Sequence, residues 1–74
     1  MPKLPAISGR ESVIAFSRVG WTFARQRGSH MILIRPGSLA SLSIPDHKEL
    51  AKGTLRALIR AADLTLEEFL ALLE

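Results

Sequence analysis

Two residues, Gly28-Ser29, are all that separate the strand-like runs Trp21–Arg27 and His30–Arg35. A connection this short makes an antiparallel hairpin, because a parallel pair needs a long crossover. In the first run Trp21, Phe23 and Arg25 alternate with Thr22, Ala24 and Gln26, the period of a strand. The second run carries Met31, Ile32, Leu33 and Ile34 without interruption, which fits a central strand better than an edge. Pro36-Gly37-Ser38 is a second turn, and Leu39–Ile44 a third strand with Leu42 and Ile44 on one side and Ser41 and Ser43 on the other. Pro45 ends that strand, and 46–51 form a loop.

Helical periodicity flanks this block. Ser8-Gly-Arg-Glu11 has the spacing of a capping box and opens a helix over Gly9–Val19, with Val13, Ile14 and Phe16 as its apolar side and Gly20 as its end. A second helix over Lys52–Ala62 places Leu55, Leu58, Ile59 and Ala62 on one stripe and Lys52, Arg56 and Arg60 on another. Thr65-Leu-Glu-Glu68 is another capping box, opening a short helix with Leu66, Phe69, Leu70 and Leu73 on one side. The order αβββα plus a short C-terminal helix predicts an α+β fold: a three-stranded antiparallel sheet with helices on one face, the layout of double-stranded-RNA-binding domains. With 74 residues and no internal repeat, 1–74 is expected to be a single domain.

So short a chain has little room for both a core and a deep cavity, so any site is expected to be shallow and its substrate macromolecular. The absence of cysteine excludes disulfides, thiolate metal sites and a cysteine nucleophile. No run is apolar enough for a signal peptide or a membrane span, so a cytoplasmic location without membrane contact is expected. The net charge is +3, and its sign changes along the chain. Residues 1–47 hold six Lys/Arg and two acids, whereas 63–74 hold four acids and no Lys or Arg. The basic portion can attract phosphates.

His30 is the candidate for chemistry. An imidazole, with an ordinary pKa of about 6.5, can both take and return a proton near neutral pH. Placed after a tight turn with Arg25, Arg27 and Arg35 on the paired strands, it can act on an RNA 2′-hydroxyl while arginines hold the phosphate. Such chemistry needs neither a metal nor a small-molecule cofactor. A strand-end histidine that only makes a turn hydrogen bond is the alternative. His47, in Ile-Pro-Asp-His-Lys, is a secondary candidate, more simply read as fixing its loop. Lys52, Arg56 and Arg60 can grip a phosphate backbone or be a solvated helix face.

The segments LPAISGRE, GW, RQRGSH and IPDHKELAKGTLRALIRAADLTLEEFLALL together resemble the HicA family of toxins from toxin–antitoxin pairs, over nearly the whole chain. The resemblance implies a double-stranded-RNA-binding-domain-like fold, metal-independent cleavage of mRNA, and neutralisation by a HicB-type antitoxin. It places the family's catalytic histidine at His30, within Gly28-Ser29-His30, and gives His47 no equally defined role. One departure is Asp63, where members commonly carry glycine. Two further readings stay beside it: an RNA-binding module that does not cleave, and a domain that binds only a protein partner.

Overall fold

The computed structural model describes residues 3–74. Their elements are α1 (Gly9–Ser17), β1 (Thr22–Arg27), β2 (His30–Ile34), β3 (Leu42–Pro45), α2 (Lys52–Ala61) and α3 (Leu66–Leu72). The sheet order is β1-β2-β3 and both pairs are antiparallel. This is the expected α+β meander. Met31 and Leu33 of β2 and Leu42 and Ile44 of β3 point to the helices and are buried with Phe16, Leu55, Ile59 and Phe69. The rings of Phe16 and Phe69 sit 5.1 Å apart and join α1 to α3.

Both capping boxes form. Ser8 Oγ accepts the Glu11 N–H at 3.0 Å while Glu11 Oε1 accepts the Ser8 N–H at 3.0 Å. Thr65 and Glu68 exchange the same bonds at 3.1 and 2.8 Å. Helix α1 closes with the Trp21 N–H donating to Phe16 O and the Gly20 N–H to Ser17 O, both at 3.3 Å. Gly20 takes φ +95°, a left-handed value that glycine adopts without a Cβ clash.

Four expectations shift. Ile14 is exposed, and the buried side of α1 is Gly9, Ser12, Ala15 and Phe16. These residues are small except for Phe16, which lets the helix come close to the end of β3: a Cβ on Gly9 would run into Pro45 O. Ser12 is fully buried because its hydroxyl donates to Gly9 O at 2.7 Å. In α3, Leu72 rather than Leu70 joins Leu66 and Leu73 at the core margin. Strand β3 starts at Leu42, with Leu39 fully exposed, because the 36–38 turn opens into irregular chain before pairing resumes.

The fourth shift matters most. Phe23 pairs with Leu33 and Arg25 with Ile32, so Ala24 is an extra residue, a β-bulge. Simple alternation puts Arg25 on the side of Trp21 and Phe23. The bulge reverses the parity beyond Ala24, so Arg25 and Arg27 lie opposite Ile32 and His30 on the sheet face that the helices leave uncovered.

Candidate functional site

The hairpin turn closes with Arg27 paired to His30. Gly28 has φ +59°, the left-handed value glycine supplies in a two-residue turn. Two bonds brace it: Gln26 Nε2 donates to Gly28 O at 3.2 Å, and the Asp46 N–H donates to Ser29 O at 2.7 Å. The second bond ties the turn to the end of β3, where Pro45 pairs with His30. The backbone around His30 is therefore fixed from both neighbouring strands, although its side chain is exposed.

The imidazole is held through one nitrogen. Nδ1 lies 3.0 Å from Ser43 Oγ, on the diagonal neighbour in β3. A hydroxyl both donates and accepts, so it can serve either tautomer of the ring and the cation as well. Nε2 has no protein partner among the described residues. Arg27, Gly28, Ser29, His30, Ile32 and Ser43 line an open depression of about 460 Å³. Ser43 was missed as a site residue. Its polar side of β3 was legible, but which β2 side chain it meets depends on register.

The other candidates divide. Arg25 and Arg27 share the His30 face. Arg35 does not join them; its guanidinium lies 4.8 Å from the Trp21 ring centroid, a cation–π contact over the core. Lys52, Arg56 and Arg60 are exposed along α2. They border grooves formed with Leu4 and α3, none of which includes a residue of the hairpin. His47 is exposed beside Ser8, Arg10, Asp46 and Lys48, and its carbonyl accepts the Gly9 N–H at 2.9 Å.

Beside His47, Arg10 Nε and Nη2 donate to the two Asp46 carboxylate oxygens at 3.1 and 3.2 Å. These hydrogen bonds, with the charge attraction, hold the Asp46 carboxyl below its usual pKa and raise that of Arg10. The pair staples the start of α1 to the loop that braces the Gly28-Ser29 turn. Among the described residues no three His, Asp or Glu side chains group as metal ligands would, and no helix is long and apolar enough to cross a membrane.

These features define a small α+β domain whose open sheet face carries one braced histidine beside arginines. The family model of the HicA toxin of bacterial toxin–antitoxin systems matches residues 9–64, from the first residue of α1 to just past α2. The chain belongs to the HicA toxin family, which gives it a toxin's role and implies an antitoxin partner. Comparison with curated protein sequences finds no match.

Proposed function

We propose that this toxin is a metal-independent endoribonuclease that cleaves mRNA in the cytoplasm and so arrests translation and growth, until a HicB-type antitoxin neutralises it. The observation that carries the reading is the His30 ring, fixed at Nδ1 by Ser43 and open at Nε2 beside Arg27. A ring oriented at one nitrogen and open at the other, beside a cation, has the arrangement that proton transfer next to a phosphate requires.

The geometry supports one sequence of steps. RNA lies along the open face with a phosphate near Arg27 and Arg25. His30 Nε2 accepts the proton of the adjacent 2′-hydroxyl as that oxygen attacks phosphorus. The bond to the 5′-oxygen breaks, and this leaving oxygen takes a proton from solvent or from the imidazolium. The products are a 2′,3′-cyclic phosphate and a 5′-hydroxyl. Guanidinium groups stabilise the charge that builds on the phosphoryl oxygens, and Ser43 keeps the ring oriented while its charge changes. Gly28 and Ser29 bring the backbone close to the phosphate without a bulky side chain in the way. Arg35 contributes to this site only through the sheet it braces, and His47 has no step in the scheme.

The antitoxin is expected to lie over Gly28, Ser29 and His30. A standard interface takes about 800 Å² per partner, enough to cover such a face. The test is incubation of purified toxin with a defined mRNA in excess chelator, followed by analysis of the new ends. Cleavage that leaves a 2′,3′-cyclic phosphate or its opened product supports the mechanism. Binding of RNA without any cleavage would reassign the chain as a non-cleaving RNA-binding module.

A further inference from the structure

A second surface stands apart from the His30 face. Helices α2 and α3 and the segment before α1 enclose a groove of about 340 Å³ whose floor is Leu4, Ile59, Leu64 and Leu66. It adjoins a second depression of about 410 Å³ that shares Leu4, Arg56 and Leu66 and adds Lys3 and Lys52. Lys3, Lys52, Arg56 and Arg60 thus border one apolar trough, with Asp63 as the acid on its rim. The family match ends at residue 64, so Leu4 and Leu66 lie outside it.

Two features of this row work against the helix that bears it, although Arg60, in the last turn of α2, is favoured by the dipole. Lys52–Arg56 and Arg56–Arg60 are like-charge pairs at i, i+4, which weaken a helix. Lys52 sits in the first turn of α2, at the positive end of its dipole. Among the described residues none of the four cations has a salt-bridge partner, the Arg10–Asp46 pair being elsewhere. Among the described residues the side-chain hydrogen bonds of basic residues belong to Arg10 and Arg18, and none relieves Lys3, Lys52, Arg56 or Arg60. The like-charge repulsion along the row is left without a compensating acid among the described residues, and an anionic ligand would offset it.

We propose that the trough between α2 and α3 is a docking site for an acidic amphipathic segment of a partner protein, with apolar anchors on the leucine floor and carboxylates along the Lys3, Lys52, Arg56 and Arg60 rim. The floor favours protein over single-stranded RNA. Single-stranded RNA is held by a basic groove together with aromatic side chains on which bases stack. This trough is lined by Leu and Ile and carries no aromatic residue. A helix laid in a groove instead presents apolar anchors at i, i+3, i+4 and i+7 and charged residues at its flanks. The proposal is independent of whether His30 cleaves RNA.

The experiment is a titration of the isotope-labelled full chain, followed by its amide resonances. Three probes are used. One is an acidic peptide of about 14 residues with Leu at helical anchor spacing and Glu between; the others are its scrambled counterpart and a single-stranded RNA oligonucleotide. The ordered peptide is expected to shift amides of Leu4, of α2 and of 64–66, and to bind about tenfold more tightly than the scrambled one. R56E/R60E should weaken it by at least about tenfold. Arg60→Ala, a truncation at an exposed position, should weaken it measurably with the amide spectrum otherwise preserved. Three outcomes overturn the proposal: no shift at the trough with the ordered peptide, equal binding of the scrambled peptide, or shifts with RNA as large as those with peptide. The last would return the row to nucleic acid.

Discussion

Among the described residues the His30 ring has one protein partner, the Ser43 hydroxyl at 3.0 Å, and that contact leaves Nε2 as the open nitrogen. Ser43→Ala should leave the fold intact, since Ser43 is exposed and lies outside the core. It should lower kcat about fivefold to tenfold with KM little changed, what one hydrogen bond of about 1 kcal/mol is worth. Ser43→Thr, which keeps the hydroxyl on a strand, should recover most of the loss; equal defects in both variants would make Ser43 a bystander. Arg35 is the contrasting case. Its guanidinium lies over Trp21, so Arg35→Ala should cost about 0.5–1 kcal/mol of stability in denaturant titration. RNA binding should change less in that variant than in Arg27→Ala. The reverse ranking would put Arg35 on the RNA.

The elements show where sequence pattern suffices and where it does not. Capping boxes, the Gly28-Ser29 turn and the stripe Leu55, Leu58, Ile59 and Ala62 were legible because each rests on residues within a turn or two of one another. The buried face of α1 was misread because Ser12 reads as polar; only the structure reveals that its hydroxyl bonds within its own helix and that close approach to Pro45 favours small side chains. Gly9→Ala should therefore destabilise the protein by about 1–3 kcal/mol in thermal or denaturant unfolding, the usual cost of overpacking, although alanine favours helices elsewhere. A neutral result would mean that α1 can move away from β3 freely. At the other end of the chain α2 closes with the Asp63 N–H donating to Arg60 O at 3.0 Å and the Leu64 N–H to Ile59 O at 3.1 Å. This leaves Asp63 at φ +62°. A residue with a Cβ is strained there by about 1–2 kcal/mol, less for Asp, and glycine loses part of the gain to its looser unfolded chain. Asp63→Gly should thus raise stability by up to about 1 kcal/mol; a clear loss would assign the Asp63 carboxylate a stabilising contact.

Across the molecule, helices cover one side of the sheet and the candidate site lies on the other. The bulge at Ala24 brings this about, because it turns Arg25 and Arg27 from the side period-two alternation gave them onto the face of His30. No local sequence signal marks it: an alanine among alternating residues reads as ordinary strand, and only its missing partner in β2 identifies it as extra. The place of His30 after the turn was legible, as was the exposure of Lys52, Arg56 and Arg60. That the latter lie away from the hairpin was not, since it depends on how α2 packs. The cleavage rate of folded His30→Ala on an mRNA the wild type cuts, measured beside the wild type with unfolding curves to verify the fold, decides whether the histidine does chemistry. The variant should lose about 10²- to 10⁴-fold in rate, abolish growth arrest and still bind the antitoxin, while His47→Ala loses much less. Wild-type cleavage by folded His30→Ala would contradict the mechanism and make His47 the next residue to test.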